Sequence, residues 1–213
     1  MTTPEYTDAQ IEAGRYLFAQ DCQFMLGVVS LETLPAAAGP EVAFAGRSNV
    51  GKSSLLNALT NRKGLARASN TPGRTREINY FELGGAMRLV DLPGYGFAKV
   101  SKEEIKRWTA LTRDFLRGRA SLRRVCLLID ARRGLKESDE DIMSMLDESA
   151  VNYQIVLTKS DKIKPTALTG LLAATAERIV RRPAAHPFVM PTSSETGAGL
   201  KELRAELAQL LEQ

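Results

Sequence analysis

The chain has 213 residues, 44% of them hydrophobic and 25% charged, which is enough to bury one sizeable core with some terminal elaboration. A formal charge of +4 favours a polyanionic partner without requiring one, and two cysteines without CxxC spacing argue against a disulfide scaffold or a redox motif. No run reaches the roughly 18 apolar residues of a membrane span, and Glu5, Asp8 and Glu12 stand where a basic leader would begin, so a protein of the reducing cytoplasm is expected.

In chain order, residues 1–40 read as an N-terminal extension packed on the domain that follows. A helical pattern runs from Asp8 to Ala19, an apolar segment from Phe24 to Leu31, and a breaker stretch from Pro35 to Pro40. Residues 41–213 read as the main domain of a chain that is one domain overall. Strand patterns at Val42–Ala45, Glu77–Leu83, Met87–Val90, Val125–Asp130, Gln154–Leu157 and Phe188–Met190 alternate with helical patterns. The helices fall at Lys52–Leu59, Lys102–Leu116, Glu137–Leu146, Ala167–Val180 and Leu200–Leu210. Such alternation predicts an α/β fold with a mostly parallel sheet and helices on both faces. Only Gly84 and Gly85 separate the second and third of these strands, so the pair should form an antiparallel hairpin with one reversed edge strand.

The segment Gly46-Arg47-Ser48-Asn49-Val50-Gly51-Lys52-Ser53-Ser54 follows the first of these strands and opens a helix. That is the context in which GxxxxGK[ST] forms a phosphate-binding loop: successive backbone N–H groups make a concave anion site at the positive end of a helix dipole. Lys52 would supply a point charge to the β and γ phosphates, and Ser53 a hydroxyl to Mg²⁺.

A phosphate loop alone leaves ATPases and nucleotide kinases open. Thr158-Lys159-Ser160-Asp161 follows a strand, and the Asp161 carboxylate could accept the N1–H and exocyclic amine of guanine, a donor pair adenine lacks. Lys159 could cover the base with its stem while its head steadies the loop. Thr192-Ser193-Ser194-Glu195, after the next strand, offers backbone N–H groups to the guanine carbonyl. Asp91-Leu92-Pro93-Gly94 supplies a carboxylate for the hydration shell of Mg²⁺ and an N–H that can sense the γ phosphate. Gly73, Arg74, Thr75, Arg76 and Glu77 lie in or beside a polar loop before the second strand, with Thr75 preferred over Thr71 as a Mg²⁺ ligand. Loops ordered by the γ phosphate and released after hydrolysis would make a switch between GTP and GDP states.

With these motifs placed, the chain from about Glu41 to Leu210 resembles the translation-factor-like branch of small GTPases, and within it the EngB family of bacterial ribosome-assembly GTPases. The match is carried by GRSNVGKSSLLNAL at 46–59, NTPGRTREINYF at 70–81, DLPGYGFAKV at 91–100, TKSDKIKP at 158–165 and TSSETGAGL at 192–200. Tyr95-Gly96, and Thr158 in place of asparagine, are features by which that family looks different from its relatives. The resemblance extends to Phe24–Pro35, which looks like the family's leading strand. It implies a three-layer phosphate-loop GTPase fold with a six-stranded sheet in the order 2-3-1-4-5-6. It also implies GTP and Mg²⁺ binding in the cytoplasm, a role in maturing the large ribosomal subunit, and an association with cell division and septation.

Tyr95 stands where many GTPases keep a water-positioning glutamine, and a phenol is a poor substitute, so slow intrinsic hydrolysis is expected. Asn49 occupies the position at which potassium-using relatives place a K⁺ ligand; it is equally suited to bracing its loop. Arg62, Lys63, Arg67, Arg74 and Arg76, with Lys99, Lys102, Lys106 and Arg107, form the candidate surface for ribosomal RNA. Arg113, Arg117, Arg119, Arg123 and Arg124 read instead as a solvated helix end. Nothing in the sequence demands more than a monomer.

Overall fold

The computed structural model describes residues 4–66, 77–95 and 102–212, except for the side chains of residues 102–109. Helix α1 (Asp8–Ala19) opens with a capping box in which Thr7 and Gln10 satisfy each other's backbone N–H groups. Strand β1 (Cys22–Val28) is followed by β2 (Glu41–Gly46), helix α2 (Lys52–Leu59), and the hairpin of β3 (Ile78–Leu83) and β4 (Met87–Asp91). Helix α3 (Lys102–Gly118), β5 (Leu122–Asp130), α4 (Glu137–Glu148), β6 (Tyr153–Thr158), α5 (Pro165–Ile179), β7 (Met190–Pro191) and α6 (Leu200–Ala208) complete the chain. The β3–β4 turn has positive φ at both Gly84 (59°) and Gly85 (69°), with Ala86 N–H bonded to Leu83 O, the conformation a tight primed hairpin turn needs.

The described residues form one sheet in the order β1-β3-β4-β2-β5-β6-β7. From β3 onward this is the expected 2-3-1-4-5-6 order. The difference is a seventh strand: β1 pairs antiparallel with β3, so the reversed strand lies one place in from the edge. A register shift between Phe24 and Leu26 breaks the alternation of β1, which is why its sequence does not announce a sheet strand. β7 keeps only Met190 of the expected Phe188–Met190 and takes in Pro191, which is paired with Leu157.

Strand side chains sort the core into two layers. Val42, Phe44, Cys126, Leu128 and Val156 face α1, α2 and α6; Ala43, Ala45, Val125, Leu127, Ile129, Ile155 and Leu157 face α3, α4 and α5. Burial pushes the Cys126 thiol up to about 12, so it behaves as a small apolar group. Among the described residues, those before β2 meet the rest chiefly through β1 and α1. β1 extends the sheet, and α1 crosses α6 so closely that a Cβ on Gly14 would stand 2.5 Å from the Ala205 nitrogen.

Two arginines expected at a solvated helix end are drawn into the fold instead, Arg124 buried and Arg119 half-buried. Arg119 donates to Glu41 (Nε, 2.8 Å) and lies over the Tyr80 ring, while Arg124, inside β5, pairs with Glu206, which also takes the hydroxyl of Tyr6. Their partners lie 78 and 82 residues away, beyond any local pattern.

Candidate functional site

The chain runs outward in both directions from β2, with β4 and β3 on one side and β5, β6 and β7 on the other. Such a switch point opens a crevice at the carboxyl ends of parallel strands. Gly46 ends β2 there, and the following loop enters α2 through Asn49 (φ 61°) and Gly51 (φ 106°). Glycine is needed at 46, where a Cβ would lie 2.9 Å from Val50 Cγ1 and 3.0 Å from Leu128 O. Asparagine tolerates the left-handed conformation at 49, which gives that residue a backbone reason to be there.

The ends of the neighbouring strands brace this loop. Asp91, the last residue of β4, is in register with Phe44 and ion-paired with Lys52, next to Ser53. Leu92 is buried with its N–H on Phe44 O (3.0 Å), and Pro93 is buried beside Ala45. Gly94 lies against the loop: a Cβ there would be 3.3 Å from both Ser48 N and Ser48 Oγ. Tyr95 N–H donates to Gly46 O (3.2 Å), and Tyr95 O accepts from Ser48 N–H (3.0 Å). The Tyr95 phenol turns inward and donates to Asp139 Oδ1 at 2.8 Å. Burial, reinforced by that carboxylate, raises the phenol far above its ordinary value, so it is a hydrogen-bond donor at any physiological pH.

On the other side, Thr158 Oγ1 donates to Val50 O (2.6 Å), and Lys159 Nζ donates to Asn49 O (2.7 Å) and Asp130 Oδ2 (2.9 Å). Burial raises the Asp130 carboxyl, but hydrogen bonds from Arg132 and Lys159 win and hold it well below the usual range. Asp130 was not among the residues marked by the sequence. Its signal is positional: like Asp91, it is a carboxylate ending an apolar parallel strand.

Asp161 takes the Ser193 hydroxyl on Oδ1 (2.6 Å) and Lys162 on Oδ2 (3.0 Å), and these two partners, Ser193 first, lower its pKa. Ser193 Oγ also accepts from Glu195 N–H (3.2 Å) and Thr196 N–H (3.1 Å), and Ser160 N–H is bonded to Thr192 O. The loop offers fewer free donors than its sequence suggests. Thr192 N–H goes to Leu157 O and Ser193 N–H to Ala198 O, so of the four residues only Ser194 has an N–H without an acceptor among those described.

Other expected residues fall apart from this group. Ser54 is exposed on α2. The Glu77 carboxylate lies over Gly27 of β1, at the outer edge of the sheet. Gly73, Arg74, Thr75 and Arg76 lie outside the described residues, as do Arg67 and Lys99 and the side chains of Lys102, Lys106 and Arg107. Arg62 pairs with Asp21, and Lys63 is exposed.

The arrangement is that of a phosphate loop braced by the ends of its neighbouring strands. Residues 41–159 match the family described as 50S ribosome-binding GTPase. A protein of Rhodospirillum rubrum named probable GTP-binding protein EngB is 60% identical over 205 residues, which cover 94% of this chain and 89% of that protein. Its namesake in Caulobacter vibrioides is 57% identical, with 97% and 90% covered. A crystal structure of a probable GTP-binding protein EngB superposes with a TM-score of 0.66 at 25% identity, over 81% of this chain and 98% of the other. Aquifex aeolicus Era, at 23% identity and a TM-score of 0.63 over 81% of this chain and 57% of the other, shares the fold. The chain belongs to the EngB family of phosphate-loop GTP-binding proteins and is a GTPase.

Proposed function

We propose that this GTPase is a monomeric switch of the cytoplasm that docks on the precursor of the large ribosomal subunit in its GTP state and leaves after slow hydrolysis. Through subunit assembly it would influence cell division and septation. The observation that carries the nucleotide half of this reading is the Asp161 carboxylate fixed by Ser193, with the Ser194 N–H open beside it. Asp161 takes the two guanine donors, and Ser194 donates to the guanine carbonyl. Lys52 and the loop amides of Asn49, Gly51 and Lys52 hold the phosphates, with Gly73, Arg74, Arg76 and Glu77 contributing from the segment before β3. The family description as 50S ribosome-binding supports the partner, with rRNA phosphates as the chemistry a basic surface would meet.

The oxygen donors fit Mg²⁺. Asp91 reaches the residue adjoining Ser53, which puts a hydroxyl and a carboxylate beside the phosphate loop, and hard oxygen ligands with retained waters are what that ion takes. Ser53 and Thr75 would bind it directly and Asp91 through water, and the ion would neutralise phosphate charge. The residues of the chain do the positioning: Lys52 holds the phosphates, and Gly94 presents its N–H to the γ phosphate. K⁺ near Asn49 would add a further positive charge.

Sedimentation with purified ribosomal subunits in GDP, GTP and a nonhydrolysable analogue tests the switch. Binding to the large subunit only with GTP or the analogue is expected; binding indifferent to nucleotide would remove the switch. Asp161→Asn should abolish the preference for GTP over ATP, and an unchanged preference would defeat the base assignment. A second reading, in which GTP-dependent RNA docking is the task and hydrolysis incidental, is favoured by the inward turn of Tyr95. Particle-stimulated turnover no faster than intrinsic turnover would select it.

A further inference from the structure

One buried carboxylate outside the motif set touches both segments that form the phosphate end of the site. Asp139 lies in the first turn of α4 and is fully buried. Its Oδ1 accepts the Tyr95 hydroxyl at 2.8 Å and stands 3.4 Å from Arg47 Nε, while its Oδ2 accepts Lys136 N–H at 2.9 Å. The last contact is to the backbone of the N-cap residue of α4, so the carboxylate is fixed at the start of that helix. Arg47 belongs to the phosphate loop and Tyr95 directly follows Gly94. The two residues are already joined as a parallel bridge, and Arg47 also reaches Gly134 O at 3.4 Å. Asp139 therefore clamps from beneath a pair of segments that the backbone stitches together from above.

The clamp matters because Gly94 has little room. A group the size of a methyl would already press on Ser48 at 3.3 Å, so shifts of a few tenths of an ångström change how Gly94 meets the loop. The Tyr95 ring sits in an apolar space shared with Ala45, Leu116, Ile142 and Met145, which does not fix its depth. The hydroxyl on Asp139 does. Burying a carboxylate is costly, and two hydrogen bonds, from the Tyr95 hydroxyl and Lys136 N–H, with the Arg47 guanidinium as counter-charge, are what make this one tolerable.

We propose that Asp139 is a positioning residue for GTP turnover: by holding the Tyr95 phenol it sets the backbone of Gly94 against the phosphate loop, where the γ phosphate is sensed. This rests on the reading of Gly94 given above. GDP has no γ phosphate, so the clamp acts on GTP and not on GDP. A purely structural role would lower stability and weaken both nucleotides alike.

The test uses the full chain with Tyr95→Phe, Asp139→Ala, the double variant and Asp139→Asn, each checked for folding by thermal melting with GDP. Tyr95→Phe keeps the ring and removes one hydrogen bond to a charged acceptor, a factor of about ten at the lower end of the range for such bonds. Turnover and affinity for a nonhydrolysable GTP analogue should fall by about that factor, with GDP affinity within about twofold of the original. Asp139→Ala should do the same, the double variant should be no worse than Asp139→Ala, and Asp139→Asn, which keeps an acceptor for the phenol, should recover part of the loss. Equal weakening of both nucleotides, independent effects of the two substitutions, or no effect in a folded variant would each overturn the proposal. Gly94→Ala separates the two levels. If it leaves the analogue-to-GDP selectivity unchanged, the γ-phosphate role of Gly94 fails, whatever Asp139 does.

Discussion

Replacing Ser193 by alanine should uncouple base recognition from folding. The hydroxyl is fully buried and serves three contacts: it donates to Asp161 Oδ1 at 2.6 Å and accepts N–H from Glu195 at 3.2 Å and Thr196 at 3.1 Å. The two amides belong to exposed residues and can turn to water, so the loss in stability should be about 1 kcal/mol. The effect on nucleotide is larger, because Asp161 loses the donor that aims it. GDP affinity should fall between about tenfold and a hundredfold, the factor for one hydrogen bond to a charged group. The pH dependence follows from the same contact. Ser193, ahead of Lys162, holds the Asp161 carboxyl below its ordinary value, and the ionised carboxylate is the form that would accept the guanine donors. In the original chain binding therefore survives well into acid. In the variant the pKa climbs back and binding fails at higher pH. Titration of a fluorescent GDP analogue between about pH 7 and pH 4 reads both effects. A folded Ser193→Ala protein with GDP affinity within about twofold, or with an unmoved acid limb, would refute the assignment.

Asn49→Ala, assayed in K⁺ and in Na⁺ at equal ionic strength, should lose a potassium stimulation that the original chain shows; matched rates in the two salts would leave Asn49 with only its left-handed backbone role. Gly199→Ala should destabilise the fold by more than about 2 kcal/mol, because φ is 74° and a Cβ would collide with Pro191 O, and a melting temperature within a degree of the original would contradict that. Glu206 should make part of the stability depend on acid. Burial raises its pKa, but His186, Tyr6 and Arg124 overcome this and bring it down to about 2 from 4.5. Its contribution, about 3 kcal/mol, is complete above 4.5 and is lost as the pH falls toward 2. The gap between the original chain and Glu206→Gln should close over that range when melting is followed against pH; a constant gap would show that Glu206 does not titrate in the native state.

How much was legible in the sequence depended on distance along the chain. Helices α1 and α2 begin where they were expected because their starts are written in neighbouring residues, Thr7 with Gln10 and Gly51 with Lys52. The hairpin was legible in two glycines. β1 was harder to place because an edge strand with a register shift carries no clean alternation, and a six-stranded sheet was expected where seven strands form. Arg119, Arg124, Asp130 and Asp139 share a different obstacle. Each is an ordinary surface residue by type, and what removes it from solvent is a partner 29 to 82 residues away. Tyr95 was legible as the absence of a catalytic glutamine, but the direction of its ring was not, because that direction is set by α4.

The bracing of the phosphate loop ties these pieces into one device. Thr158 and Lys159, just before Asp161 in sequence, bond to Val50 O and Asn49 O, so the wall proposed to face guanine also holds the phosphate loop. On the opposite side, Tyr95 holds Gly46 and Ser48 while Asp139 holds Tyr95. Through Thr158 and Lys159 the Asp161 wall and the phosphate loop share a frame, so on the proposed site damage to that link should reach phosphate as well as base. Thr158→Val keeps the shape of the side chain and removes only the hydroxyl that bonds Val50 O at 2.6 Å, at a cost of about 1 kcal/mol or more for the carbonyl left behind. It touches no phosphate, yet pyrophosphate should compete less well for the loop in this variant. If pyrophosphate competition were unchanged while guanine affinity fell, the two halves of the site would be independent and the shared frame would be wrong.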